Sequence, residues 1–477
     1  PCASNPEPLA PFVDMFLIGD GEEILPQILE LIKDHKRANE GKPERNKILA
    51  NALDFEGVYV PGLYNFEYHS NGTVKNKSVY SPAPTKIVTN VVKDLDESYF
   101  PERPIVPGLN VIHDRMMLEV SRGCSRGCRF CQAGAIYRPV RERSPEVLVR
   151  QAENLVNNCG HSEISLSSLS TADYSHIGEL ATGLASKLSP RNTSISLPSL
   201  RVDRFSVDLA QEIQKIRKST LTFAPEAGTQ RLRDVINKGV TEENIMDAAS
   251  SAFKAGWDRL KLYFMIGLPT ETEEDLQGIV ELAQKILHMG REIRSPSGRG
   301  RVKLTVSASS FVPKPHTPFQ WVGQDTVDVL KQKQDYLRGK LGRGIQFSWH
   351  DAGQSSIEAA ISKGNRNLAD VIEGAWSKGC KFDGWDEHFN LEIWQETFKE
   401  LEYDPSPYTN VGLDLDAVLP WDHLNIGVKK EYLKKEYHRA FKGKLTPDCR
   451  WAHCTQCGIC SNLKVSKNIK GGGGFVD

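Results

Sequence analysis

The sequence predicts an α/β protein built on an open arc of six parallel strand–helix units, and three observations lead there. Strand-like runs recur at 116–121 (MMLEVS), 163–169 (EISLSSL), 194–200 (SISLPSL), 221–226 (LTFAPE), 259–267 (RLKLYFMIG) and 302–311 (VKLTVSASSF). Helical patterns separate them at about 144–158, 176–188, 206–217, 229–256 (two helices) and 272–293. Strands alternating with helices imply βα units and a parallel sheet. Six such units make a partial (β/α)6 barrel, related to the eight-stranded TIM-like one, with its chemistry expected at the C-terminal strand ends.

The segments around the arc follow in order. Residues 1–50 read as a loop, a short strand (Met15–Ile18) and a helix from Glu22 to about His35. That is the last unit of an α/β domain, too small to stand alone, and the chain opens on Pro1 as if in mid-domain, which suggests an N-terminal portion before it. Residues 51–115 carry aromatic and β-branched residues broken by Pro and Gly ("VYVPGLYNFEYHSNGTVKNKSVYSPAP") and read as short strands and extended linker. The barrel occupies 116–325. Residues 326–445 are mostly helical, with patterns such as "TVDVLKQKQDYLRGKL", "SIEAAISKG" and "KKEYLKKEYHRAF". A cysteine-rich tail, 446–477, ends in the glycine-rich "NIKGGGGFVD".

Composition narrows the class. The 477 residues are long enough for several domains, and 60 Lys+Arg against 61 Asp+Glu give no broad attraction to nucleic acid or membrane. No run of about 20 apolar residues stands in the chain, and no signal peptide is readable at its start, so a membrane role is not expected. Of the ten cysteines, three lie at 124–131 and four at 449–460. Tight clusters in a long chain suggest metal binding in a reducing compartment, the cytoplasm, rather than a disulfide framework.

The first cluster is "RGCSRGCRFCQAG", residues 122–134, with Cys124, Cys128 and Cys131 in C-x3-C-x2-C spacing. Thiolates select zinc, copper(I) or iron–sulfur clusters. A structural zinc site closes to four ligands, and neither His113 nor His161 supplies a tight local fourth. A 4Fe–4S cluster on three cysteines leaves one iron open to a small molecule. Gly123 and Gly127 let the loop wrap closely, with backbone N–H groups near the cluster sulfides.

This trio, with Phe130 before its last cysteine and a partial βα barrel around it, resembles the radical SAM superfamily. The resemblance implies a 4Fe–4S cluster on Cys124, Cys128 and Cys131. Its open iron would chelate S-adenosylmethionine, which one-electron reduction would cleave to a 5′-deoxyadenosyl radical. It implies cofactor contacts as well. After strand 2 the family often has Gly-Gly-Glu; here "SLSSLSTADY" puts Ser167, Ser168 and Ser170 there. "FAPEAGTQRLRDVINKG" is similar to the Glu-x-Gly-(Ser/Thr) stretch of methylthiotransferase-like members, so Glu226 would bond the ribose hydroxyls or the ammonium. The alternative is a carboxylate at a helix N-terminus. In "FMIGLPTETEEDL", Ile266 and Gly267 would border the adenine; the alternative is a strand–turn–helix join capped by Thr270 or Thr272. Arg138, Arg141 and Arg143 would balance the cluster or bind an anion, or form a solvated basic loop.

Outside the barrel, "FEGVYVPGLY", "PAPTKIV" and "LPWDHLNIGVKKEYL" resemble a family of uncharacterised cobalamin-type radical SAM proteins. Residues 1–50 are similar to the final strand–helix segment of its cobalamin-binding domain. The Asp-x-His-x-x-Gly motif for cobalamin's lower ligand is not in this sequence, so cobalamin would need a domain preceding residue 1.

The tail "CRWAHCTQCGIC" offers Cys449, Cys454, Cys457 and Cys460, with His453 as a substitute, to zinc or an iron–sulfur cluster. Cys159 and Cys380 read as buried and inert, Trp376, Trp385 and Trp394 as core, and the lysines of "KKEYLKKEYHR" as a solvated face. The leading expectation is a radical SAM enzyme served by a flavodoxin- or ferredoxin-type electron donor. It would act on a small molecule or RNA, by methyl transfer or another radical modification. The alternatives are a methylthiotransferase-like tRNA modification enzyme and a non-catalytic RNA- or partner-binding protein with a degenerate barrel and a zinc tail.

Overall fold

The computed structural model describes residues 4–109, 111–112, 114–196, 221–294 and 302–467. Two parallel sheets form the barrel arc. In the first, β1 (Met116–Glu119) pairs with β2 (Glu163–Ser167), which pairs with β3 (Ser194–Ser196). In the second, β4 (Leu221–Glu226), β5 (Arg259–Ile266), β6 (Lys303–Ser310) and β7 (Ile345–Trp349) lie side by side in sequence order. The strand expected at 194–200 is described only to Ser196, and the helix expected at 206–217 lies outside the described residues.

The arc of six therefore gains a seventh strand. β7 lies in the stretch read as helical, directly after a helix and Gly344. Only Ile345 and Phe347 of its five residues pack on the core, so no apolar run marks it. Pairing with β6 is what makes it a strand.

The helices start where their caps dictate. α1 (Pro145–Cys159) has Pro at its first position and closes on Gly160 in the left-handed region. α2 (Ile177–Leu188) covers the same sheet. Thr229 caps α3 (Gln230–Val235), a Thr241/Asn244 capping box starts α4 (Glu242–Lys254), and Thr326 caps α6 (Val327–Lys340) after the long α5 (Glu273–Arg294). Period-2 alternation then sorts each strand. Leu260, Leu262, Phe264 and Ile266 of β5 and Leu304, Val306 and Ala308 of β6 pack on Ile245, Phe253, Ile279 and Ile286 of the covering helices. The opposite face, the inside of the arc, carries Thr222, Glu226, Lys261, Tyr263, Thr305 and Ser307. It is mainly polar, with Ala224 and Met265 set among these groups.

The N-terminal strand Phe16–Leu17 pairs antiparallel with Val58–Tyr59, and the helix after it runs Ile24–Ala38. A hairpin, Tyr64–Tyr68 with Val74–Val79, follows; Ile87–Val88 then pairs with Leu424–Asn425 from far down the chain. The wholly buried Glu7 carboxylate draws these parts together, accepting from Tyr59 Oη (2.5 Å) and from Arg366 Nε (3.0 Å). Beyond the barrel, α7 (Ala352–Lys363), α8 (Leu368–Ser377) and α9 (Leu391–Glu400) share a core built around Leu368, Val371 and Trp394. Trp376 and Trp385, expected in a core, are instead about half exposed; they sit at and beyond the last turn of α8, where no helix covers them.

Two buried histidines make the fold acid-sensitive. His316 Nε2 lies 2.9 Å from the backbone oxygen of Ser4, and burial pushes this imidazole down to about 4; burial likewise takes His423 to about 3. Both are neutral in the fold. The stability each contributes is fully present above the ordinary value of 6.5 and is lost as pH falls towards the folded value, because the unfolded chain takes the proton first. For His316 this is about 3 kcal/mol at about 1.4 kcal/mol per unit. His316→Asn, a residue that tolerates the positive φ of 62° there, should flatten the fall in unfolding free energy between pH 6.5 and 4. An unchanged slope in urea titrations across that range would contradict the assignment.

Candidate metal centre

The loop after β1 is shaped by its glycines and held by its arginines. Ser121–Arg122 pairs briefly with Arg141–Glu142, and the chain then turns at Gly123, whose φ is +91°. A Cβ there would stand 2.5 Å from the Tyr137 oxygen and 2.6 Å from that of Pro139, so only glycine fits. Gly127 (φ +82°) makes the second bend. Arg129, between Cys128 and Cys131, is wholly buried. Its backbone N–H donates to Ile236 O (3.0 Å), and its guanidinium donates to Glu436 Oε2 (3.1 Å), Asp234 O (3.0 Å), Val235 O (2.9 Å) and Lys444 O (2.6 Å). Asn237 Nδ2 donates to Gly127 O (3.1 Å) and Arg126 pairs with Asp173. The cysteine loop thus sits at the C-terminal strand ends, with Phe130 packed among Ala227, Leu268 and Phe311.

Cys124, Cys128 and Cys131 form no disulfide and are half-buried. Burial pushes the Cys131 thiol up to about 11, and Cys128 and Cys124 push the same way while Lys238 pulls it down. The three sulfurs therefore share one electrostatic neighbourhood. Gly134 N–H donates to Cys131 Sγ at 3.3 Å, the kind of backbone bond that tunes a cluster. Among the described residues no three His, Cys, Asp or Glu side chains converge as ligands of a single ion, which at about 2.3 Å per bond would bring the sulfurs nearly into contact. Three thiols are a soft donor set of the kind that holds an iron–sulfur cluster. A small cavity of about 30 Å³ lies beside Cys128 and Cys131, bordered by Gly134, Arg138 and Tyr432.

The expected cofactor contacts fall into two groups. Glu226 ends β4 on the inner face with a strained φ of +68°, and its carboxylate accepts from Lys238 Nζ at 3.0 Å. Thr229, not Glu226, caps the following helix. Lys238 went unnoticed in the sequence; it stands between Glu226 and Cys131, near Cys131 in electrostatic reach and bonded to Glu226. Ser168 Oγ pairs with Thr171 Oγ1 (2.8 Å), and Ser170 donates to Asp173 (2.6 Å). The other group turns away from the mouth. Ile266 is buried against the helices, and a Cβ on Gly267 would meet Leu330 and Asp325 near 3.0 and 3.1 Å. The Gly267 N–H donates to Glu271 Oε1, and Thr272 N–H donates to Asp275 Oδ2 ahead of α5.

The basic loop is not solvated. Arg141 bonds Asp20 and Val92 O, and Arg143 bonds Leu95 O and Ser98, so both clamp the linker to the barrel from buried positions. Arg138 alone turns to the cysteines, donating to Cys124 O (2.9 Å) and Ser125 O (3.3 Å). Burial would lower its guanidinium, but Tyr432, Cys457, Cys449 and Cys124 carry it above its ordinary value. Next to the loop, Gln132 Nε2 donates to Pro315 O (3.2 Å) at the edge of a cavity of about 370 Å³, bordered by Leu9, Lys314, Ile357 and Phe389.

A family model described as the radical SAM superfamily matches residues 118–283, and one described as radical SAM proteins, N-terminal, matches residues 1–61. Uncharacterized protein MJ0966 of Methanocaldococcus jannaschii is 30% identical over 379 residues, covering 78% of this chain and 72% of that protein. Uncharacterized methyltransferase PH0819 of Pyrococcus horikoshii is 26% identical over 247 residues, so the chain spans about half that protein, 50% of each. Among solved structures, the cobalamin-dependent S-adenosylmethionine radical enzyme OxsB with aqua-cobalamin bound aligns over 97% of this chain and 69% of that one. The TM-score is 0.43 and the identity 15%.

Proposed function

The chain belongs to the radical SAM superfamily and is an enzyme of that type, and from this premise we propose that Cys124, Cys128 and Cys131 hold a 4Fe–4S cluster open to S-adenosylmethionine. The observation that carries the reading is the three-thiol loop itself, folded by Gly123 and Gly127 at the C-terminal end of β1 without a fourth local ligand. When bound, the cluster would supply the electron that cleaves S-adenosylmethionine to a 5′-deoxyadenosyl radical, taken in turn from a flavodoxin- or ferredoxin-type donor. The chain's own residues position the reaction. Glu226 and Ser168 would accept from the ribose hydroxyls or the ammonium. Lys238 holds the Glu226 carboxylate in place through the 3.0 Å ion pair. Arg138 offsets the negative charge of the thiolates.

Methyl transfer to a substrate inside the polar arc is the reaction we favour, supported by the likeness to a protein described as a methyltransferase. The Asp-x-His-x-x-Gly motif for cobalamin's lower ligand is not in this sequence, and its buried His316 and His423 are engaged inside the fold. Methylthio transfer is the second reading. The tail's four cysteines, rather than three with an open iron, speak against it.

Anaerobic reconstitution with iron and sulfide followed by dithionite and S-adenosylmethionine tests the function. Formation of 5′-deoxyadenosine is expected, with S-adenosylhomocysteine as a further product if methyl transfer is right; a folded, iron-loaded protein that forms neither refutes the reading. Glu226→Gln should raise the S-adenosylmethionine concentration for half-maximal cleavage on the order of tenfold, the loss of a hydrogen bond to a charged group. An unchanged half-saturation value would remove Glu226 from the cofactor site.

A further inference from the structure

The helix that walls the cysteine loop turns its opposite face to solvent. α10 (Lys430–Phe441) buries Leu433, Glu436 and Ala440 along one stripe. Leu433 and Glu436, with Tyr432, border the small cavity beside Cys128 and Cys131. On the other side, Glu431, Lys435, His438 and Lys442 recur at helical spacing and are all exposed, as are Lys444 and Leu445 in the turn that follows. Arg129, the residue after Cys128, donates from its guanidinium to Lys444 O at 2.6 Å. One hydrogen bond thus joins the thiol's neighbour to the backbone beneath an exposed lysine. The cysteine loop lies one helix diameter, about 10 Å, beneath this face.

Positive charge is concentrated here. From Lys429 to Lys444 the chain holds seven lysines and arginines against two glutamates, although the whole chain balances 60 against 61. Of the two glutamates, Glu436 is buried against Arg129. Lys430 pairs with Asp422 (2.7 Å) and Lys434 with Asp416, whereas Lys435, Lys442 and Lys444 form no ion pair among the described residues. Arg439 donates to Leu445 O and to Thr446 Oγ1 (2.9 Å), which folds the turn back along α10. Phe441 and Leu445, each about half exposed, lie next to Lys442 and Lys444. The described part of the tail leaves this face open. Asp448 pairs with Arg126 (3.2 Å) and Lys429 N–H donates to Cys457 O (2.9 Å), so the segment with Cys449, Cys454, Cys457 and Cys460 packs on the cysteine loop and the start of α10.

We infer that the outer face of α10 and the turn after it dock the electron donor, and that this donor is a small acidic flavodoxin. The inference rests on the function proposed above, since a site that takes up single electrons is what needs such a partner. A cationic face steers an acidic protein and sets its orientation. Phe441 and Leu445 add an apolar centre inside a charged rim, which matches the apolar dimethylbenzene edge of a flavin set in an acidic surface. RNA would be held through its phosphates by the lysines and gains nothing from Leu445. One electron leaves the anionic flavin hydroquinone, which becomes the neutral semiquinone, and enters the site on Cys124, Cys128 and Cys131. No proton moves in this step and no covalent bond is made or broken.

The variant K435E/K442E/K444E, reconstituted anaerobically with iron and sulfide, tests the surface with two reductants. Dithionite needs no docking, so the 5′-deoxyadenosine it drives should match the wild type. With flavodoxin kept reduced by NADPH and its reductase, half-maximal cleavage should need on the order of tenfold more flavodoxin, and calorimetry should show the Kd for flavodoxin raised by the same order. An unchanged flavodoxin requirement overturns the inference. So does an equal loss with dithionite, which places the lesion at the cysteine site. The wild type supplies a measurement that depends on no variant. Raising salt from about 0.01 M to about 0.1 M shortens the screening length from about 30 Å to about 10 Å and should weaken flavodoxin binding; a Kd that ignores salt overturns the inference. Polyuridylate binding that the variant loses while flavodoxin binding stands would make this an RNA surface. A ferredoxin affected in flavodoxin's place would make ferredoxin the occupant, and either result overturns the inference. The chemistry fails separately: a wild type that binds flavodoxin as described yet forms no 5′-deoxyadenosine with dithionite refutes the proposed function and not the docking surface.

Discussion

Cys128→Ala should abolish dithionite-dependent formation of 5′-deoxyadenosine while leaving the fold intact. Cys128 is the middle of three thiols, and a cluster with one open iron has no ligand to spare. The loop does not depend on this side chain for its shape. Gly127 O accepts from Asn237, Arg129 N–H donates to Ile236 O, and Cys131 N–H donates to the backbone oxygen of Cys128, all independent of the thiol. Thermal unfolding should therefore match the wild type to within a few degrees, the equivalent of under about 1 kcal/mol. Chromatographic quantification of 5′-deoxyadenosine beside a melting curve separates a lost cluster from a lost fold. Undiminished product from the variant would remove the trio from the chemistry.

Arg129→Met should destabilise the protein by about 3–5 kcal/mol, the range for stripping one partner from a buried ion pair. Three backbone oxygens and the buried Glu436 carboxylate converge on this one wholly buried guanidinium. Glu436 keeps the Thr446 hydroxyl at 2.7 Å and the more distant Arg439 guanidinium at 3.5 Å. Burial costs Arg129 part of its own charge preference and Glu436 restores some of it, so the pair stands or falls together. Urea unfolding measures the loss. Arg129→Met with Glu436→Gln should recover part of it, because the uncompensated carboxylate is then gone. A single variant within about 1 kcal/mol of the wild type would show that the pair is not what holds the loop to the mouth. Since Arg129 lies between two cysteines, the same variant should also take up iron less completely.

Some of this was legible one residue at a time. The period-2 runs of β5 and β6 and the capped helices after them announce parallel units, because a strand's buried face and a helix's first turn are set by neighbours a few positions away. The three-cysteine spacing is likewise local. β7 escaped because its five residues carry only two core contacts and become a strand through β6 alone. Trp376 and Trp385 escaped for the converse reason: large apolar side chains are usually covered, and nothing nearby says that these are not.

The sequence by itself determined the type of chain, a βα arc with thiolate chemistry at the end of its first strand, and the family to which it belongs. Only the tertiary structure decided which distant charges meet there. Arg129 finds Glu436 across 307 residues, Asn237 finds Thr446 across 209, and of Arg138, Arg141 and Arg143 it is Arg138 that turns to the cysteine loop. Short-range periodicity is written by covalent neighbours and survives in the unfolded chain. An arginine's partner is fixed only when packing excludes water from both, and that choice belongs to the whole fold.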